Sequence, residues 1–258
     1  MPLVDTGGDP YPLTQDVMNL ARVRVNDCAI SLDGNLLSNN QPYTNTILQA
    51  AWRWLQTKCA VAGVETFIRS TYIQGIPAAA KQDTAYECYL TWEGCGDGVF
   101  QYEAPGLPPD LILPLHIGYR QSGTQNNFND LDQALDGLPR YLNVNVYDWR
   151  DDGMYFYGWS VAADIKLRYA AYRAPLNLGD PQNQATIMFC EDALSARIAY
   201  EFANLRGAAQ APAMMQAAED AFDVIAQRTA RKNQRRAIRR RPYSGRSTGW
   251  NYPTVRNN

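Results

Sequence analysis

The sequence predicts an α+β fold: a helical bundle built from N-terminal helices and two long C-terminal helices, a β-rich middle part, and an extended basic C-terminal arm. Three observations lead there. Apolar residues recur at helical spacing towards both ends of the 258-residue chain. Between about residues 64 and 172 the period changes from roughly four to two. From Arg228 to Arg256 the chain then carries ten Lys/Arg and no carboxylate.

Residues 1–12, with two glycines and three prolines, read as an irregular N-terminal arm. A first helix is predicted over 14–25, where Val17, Leu20, Ala21 and Arg24 share a face and Thr14 is placed to cap the orphan N–H groups. Asn26 to Tyr43 is rich in Asn, Asp-Gly and Pro and reads as a loop. The second helix, 46–62, has the firmest pattern: Leu48, Ala51, Trp52, Leu55, Cys59 and Ala62 form one stripe. Thr46 and Gln49 have capping-box spacing, and Gly63 follows where a left-handed terminal residue is wanted.

The β-rich part begins with Val64–Ile73. Tyr86, Cys88, Leu90 and Trp92 then alternate with polar neighbours, and Gly94, Gly96 and Gly98 turn the chain into Val99–Glu103 as a hairpin. Residues 110–140 mix short apolar runs with loop material, with Phe128–Leu135 read as a short helix. Tyr141–Trp149 alternates, turns at Asp151-Asp152-Gly153 and resumes as Met154–Trp159. Asp164–Tyr172 is a further strand with Ile165, Leu167 and Tyr169 on one face.

Two helices complete the body. The first, 185–206, carries the stripe Ile187, Cys190, Leu194, Ile198, Phe202 and Leu205, with Gly207 as its stop. The second, 212–230, starts at a tolerated Pro212 and carries Met215, Ala218, Phe222 and Ile225 on its apolar face. The body is thus 13–227, and the arm 228–258 has no core of its own.

Composition narrows the function. With 46% hydrophobic residues the chain can bury a large core. No apolar run reaches the ~18 residues of a membrane span, and the N-terminus lacks a charged-then-apolar leader, so neither membrane insertion nor secretion is expected. Five cysteines (Cys28, Cys59, Cys88, Cys95, Cys190) form no C-x-x-C pair and read as cytosolic free thiols.

Reactive constellations are not found. His116 is the single imidazole and lies in an apolar segment, where a packed or hydrogen-bonded histidine is commoner than a general base. Asp148, Asp151 and Asp152 depart from calcium-loop spacing and read as part of a hairpin turn. The Gly94/Gly96/Gly98 patch lacks the lysine that a phosphate-cradling loop needs. The expectation is a protein that is not an enzyme and has no cofactor or metal.

Charge is the informative feature. Of 24 Lys/Arg, ten lie between 228 and 256, which leaves 14 against all 26 Asp/Glu in residues 1–227. A net charge of −2 therefore hides an acidic body joined to a basic arm. The candidate docking residues are Arg228, Arg231, Lys232, Arg235, Arg236, Arg239, Arg240, Arg241, Tyr243, Arg246 and Trp250. Arginine outnumbers lysine nine to one there, which favours bidentate contacts on a partner over diffuse attraction. Tyr243 and Trp250 supply groups that fit a protein pocket. Phosphate binding to DNA by the same arm is the alternative.

Several stretches together resemble the head-to-tail adaptor (connector or neck) proteins of tailed bacteriophages. They are Ala51-Trp52-Arg53-Trp54-Leu55-Gln56 with Gly63-Val64-Glu65-Thr66-Phe67, Leu107-Pro108-Pro109-Asp110-Leu111 continuing to Leu115, Arg120-Gln121-Ser122-Gly123, and Ala134-Leu135-Asp136-Gly137-Leu138-Pro139. Ala199-Tyr200-Glu201-Phe202-Ala203, the run from Arg228 to Arg236, and Arg239-Arg240-Arg241-Pro242-Tyr243 complete the set. The resemblance spans about residues 13–246 and is one of overall pattern. It implies a homo-oligomeric ring, dodecameric in relatives, in the virion neck and assembled in the host cytoplasm. It further implies that the C-terminal arm docks on the portal protein, that the far face receives the tail or a further neck protein, and that double-stranded DNA passes through the lumen.

Overall fold

The computed structural model describes residues 11–25, 42–64, 66–78, 80–82, 85–97, 101–102, 106–133, 146–157, 159, 161–180 and 182–229. The chain divides into two compact units, one drawn from Met1–Glu65 and Ala174–Asn258 and the other from Thr66–Arg173.

Among the described residues the first unit holds four helices: α1 (Thr14–Arg24), α2 (Pro42–Ala62), α3 (Glu191–Leu205) and α4 (211–229). Their apolar stripes meet in one core of Val17, Met18, Leu48, Trp52, Leu55, Leu194, Ile198, Phe202, Phe222 and Ile225. Trp52 is 1% exposed, and its indole N–H donates to the Ala174 carbonyl at 3.0 Å, so the largest side chain of the core also satisfies its polar edge. Gly63 ends α2 at φ 66°, a conformation that glycine adopts without a Cβ penalty.

The described residues of the second unit form one mixed sheet of ten strands: β1 (Ile68–Ile76), β2 (Ala80–Gln82), β3 (Ala85–Thr91), β4 (Cys95–Gly96), β5 (Gln101–Tyr102), β6 (Leu111–Gln121), β7 (Asn129–Gln133), β8 (Val146–Arg150), β9 (Gly153–Tyr157) and β10 (Ala163–Ala171). Their order is β1-β10-β6-β7-β8-β9-β3-β4-β5, with β2 beside β3. The β7–β8 pair is parallel and the other described pairs are antiparallel. Alternation places Ile165, Leu167 and Tyr169 in a core with Ile73, Ile117, Leu90, Met154 and Phe156.

This architecture corrects the expectation of a helical bundle with two long C-terminal helices. The fold is α+β, but a mixed sheet built largely from long-range pairings forms the middle of the chain. Strand β1 pairs with β10, about a hundred residues on, with Ile68 opposite Ala170. Local periodicity carries no record of such a partner. The penultimate helix is shorter than expected because it begins at Glu191, not near 185. Ile187 and Cys190 are fully buried, but in the turn segment that precedes α3.

Smaller departures have local reasons. Thr14 does not cap α1: Leu13 occupies that position, and the Thr14 hydroxyl donates to Asn183 Oδ1 at 2.7 Å. Helix α2 starts at Pro42, so Thr46 and Gln49 lie inside it, and the Gln49 amide donates to the Leu176 carbonyl at 2.6 Å. Ala62 and Leu205, assigned to buried stripes, are exposed. Residues 129–133 form strand β7, not a helix. Leu131 is buried between exposed Asp130 and Asp132, which is period two. Strand β6, with 11 residues the longest described, is continuous where short apolar runs mixed with loop material are predicted. Its Pro114 sits opposite Tyr169, beside a register shift that lets the ladder skip Leu115. The first ten residues, Cys28, Ala134–Pro139, Tyr141–Asn145 and everything after Thr229 lie outside the described residues.

Candidate functional site

Of the predicted docking residues only Arg228 lies among the described residues, in the last described turn of α4. Its guanidinium stacks on the Phe189 ring at 3.7 Å. Phe189 is unusual twice over. It is the one non-glycine described residue with positive φ, 55°, and its ring is 45% exposed. A bulky residue in the left-handed region costs about 1–2 kcal/mol. Here it ends the turn before α3 and offers its face to the cation at the root of the arm. The remaining ten, Arg231, Lys232, Arg235, Arg236, Arg239, Arg240, Arg241, Tyr243, Arg246 and Trp250, lie outside the described residues.

Cations also hold the helices that carry this root. The Arg197 guanidinium on α3 lies 5.2 Å from the Trp54 ring and 4.8 Å from that of Tyr200, and it pairs with Glu201 one turn on. Lys58 on α2 reaches Glu219 on α4 at 2.9 Å and lies about 6 Å from both Trp54 and Phe222. At the C-terminal end of α1, Arg24 bonds Asp192 at 2.7 Å and Ser195 at 3.2 Å. It borders a cleft of about 300 Å³ that Ala196, Gln210, Ala213, Met214 and Ala217 also line. None of these contacts between helices has a local sequence signal, because each joins segments distant in the chain.

In the sheet unit the polar clusters are structural. The Asp110 carboxylate accepts from Tyr169 at 3.0 Å and from Arg69 at 2.5 Å. Burial and the Asp110 bond push the Tyr169 hydroxyl up to about 12. The hydrogen bond to Asp110 raises the Arg69 guanidinium as well. Asp164, 5% exposed, accepts from the Gly75 N–H at 3.1 Å and from Arg120 at 3.3 Å, which anchors the bulge in β1.

The residues weighed for chemistry are placed as follows. Asp148 accepts from Arg150 at 3.0 Å and from Tyr157 at 3.3 Å, while Asp152 accepts from Tyr155 at 2.6 Å; Asp151 and Asp152 form the β8–β9 turn. His116 is exposed, with Nε2 3.0 Å from Asp130. Cys59, Cys88, Cys95 and Cys190 are buried and form no disulfide, and burial raises the Cys95 pKa, which favours its unreactive protonated form. Among the described residues no group of three or more His, Cys, Asp or Glu is arranged to hold a metal, and no helix is long and apolar enough to cross a membrane.

No family model and no curated protein matches this sequence. What the arrangement offers is an aromatic-backed root for a basic segment on one unit and a largely antiparallel sheet on the other.

Proposed function

We propose that this chain is a structural virion protein, a head-to-tail adaptor that joins the portal at the capsid vertex to the tail and forms part of the DNA exit channel. The observation that carries the reading is the division of charge. Before Arg228 there are 14 basic against 26 acidic residues, and from Arg228 to the end there are ten basic and no acidic ones. The stacked Arg228–Phe189 pair supports it, since it holds the first residue of that segment against the helical unit. An acidic body repels DNA from its walls, which suits a conduit, and an arginine-rich segment grips an acidic protein surface through bidentate contacts. The partners are then the portal protein, a tail or further neck protein, and copies of the same chain in a ring of the dodecameric kind known in the family. The site of action is the virion neck, after assembly in the host cytoplasm.

The test is removal of residues 228–258. The shortened chain is expected to remain folded by circular dichroism and to fail to join portal-bearing heads. Normal joining would overturn the docking role. If the full chain instead bound duplex DNA with affinity falling steeply as salt rises, the arm would be a phosphate-binding element.

A further inference from the structure

Among the described residues strand β1 is one edge of the sheet, and its hydrogen-bonding parity can be derived. Ala171 N–H donates to the Phe67 carbonyl at 2.8 Å, so residues 67 and 171 form a bonded antiparallel pair. The register runs from Ile68↔Ala170 to Ile73↔Ile165, so odd-numbered residues of β1 bond to β10. On the other flank of β10, Ser122 N–H donates to Ala162 O, and even-numbered residues face β6. The parities agree. The N–H and C=O groups of Ile68, Ser70 and Tyr72 therefore point away from the sheet, and among the described residues no strand pairs with them.

An open edge is ordinarily blunted by proline, lysine, brevity or a bulge. Strand β1 has nine residues and no proline, its one charged side chain, Arg69, is paired with Asp110 within the chain, and its irregularity is confined to Ile73–Ile76. The side chains of Ile68, 44% exposed, and Tyr72, 59% exposed, stand on the solvent face of this edge.

The edge is complementary to itself. In an antiparallel pairing centred on Ser70, Ser70 faces its own copy, Ile68 faces the partner's Tyr72, and Tyr72 faces the partner's Ile68. That register uses all three outward residues, for about six hydrogen bonds, and creates two aromatic–β-branched cross-strand pairs. Arg69 then lies opposite Thr71. Sliding the centre to Arg69 sets two arginines face to face, and sliding it to Thr71 runs Ile68 into the bulge.

We infer that the free protein is a twofold dimer in which the β1 strands of two copies pair about Ser70, continuing one sheet into the other. This goes beyond the adaptor reading and does not rest on it. It describes the chain before any assembly, and a ring about a single axis would use a different, head-to-tail contact.

The test is sedimentation equilibrium of the full chain at about 1–100 μM, with three substitutions at one exposed position. Ser70→Pro deletes an outward N–H that the chain's own sheet does not use, Ser70→Glu sets two carboxylates opposite each other while facing Arg168 within the chain, and Ser70→Thr keeps the edge intact. The unmodified chain and Ser70→Thr are expected to be dimers, and Ser70→Pro and Ser70→Glu to weaken association at least about tenfold with unchanged circular dichroism. The Ser70→Glu dimer should recover below about pH 4, where the carboxylates are protonated. A monomeric unmodified chain, a ring or other higher oligomer, or a dimer indifferent to both Ser70→Pro and Ser70→Glu would overturn the inference. If Ser70→Pro misfolds, Ser70→Glu decides alone.

Discussion

The Tyr169 hydroxyl donates to Asp110 at 3.0 Å from a side chain only 3% exposed, tying the inner face of β10 to the residue that precedes β6. Burial and that bond hold Tyr169 protonated up to about pH 12, above its ordinary 10. A pKa raised on folding gives stability that is complete below the unfolded value and is lost as pH rises through the folded one. The protein should therefore lose about 2–3 kcal/mol from this group between about pH 10 and 12. Tyr169→Phe should flatten that part of the curve, as read from urea midpoints at about pH 9, 11 and 12. An identical alkaline loss in the variant would refute the assignment.

Trp52 fills the centre of the helical core and cannot be replaced by repacking. Trp52→Ala should cost about 3–5 kcal/mol in chemical denaturation, from lost burial, the cavity left and an unpaired Ala174 carbonyl. Trp52→Phe, which keeps most of the volume but not the N–H, should cost less than half of that.

Gly153 opens β9 opposite Thr91, and a Cβ there would lie 2.4 Å from the Leu90 carbonyl oxygen. Backbone must move to admit it. Gly153→Ala is expected to destabilise by about 2–3 kcal/mol, although alanine is usually favoured over glycine in regular structure. A thermal melt within about one degree of the parent would show the approach to be looser.

Phe189→Gly separates strain from contact. Relief of the left-handed conformation returns about 1 kcal/mol, and loss of the Arg228 stack removes a similar or smaller amount, so global stability should change little. The root of the arm should nonetheless loosen, and trypsin should cut after Arg228 faster than in the parent. Equal cleavage rates would mean the stack does not hold the segment.

The helices show how far local pattern reaches. Leu48, Ala51, Trp52, Leu55 and Cys59 lie at three- and four-residue steps, and all five are buried, because a helix face is set by neighbours three and four residues away. Alternation likewise places Ile165, Leu167 and Tyr169 on one buried face of β10. The same reasoning fails at β6. There Pro114 and the run from Leu111 to Ile117 break the alternation, and only the partners β10 and β7 make a strand of it. It also fails at β7, where five residues are too few to separate one period from the other.

The candidate site divides in the same way. The basic segment and the acidic body are visible as counts along the chain, since charge needs no fold to exist. The Phe189 backbone, the stacking of Arg228 on it, and the outward parity of Ile68, Ser70 and Tyr72 required the tertiary structure. Each depends on which distant segment lies alongside, and that choice is made by the burial of whole faces, a sum over the molecule that no short window of sequence contains.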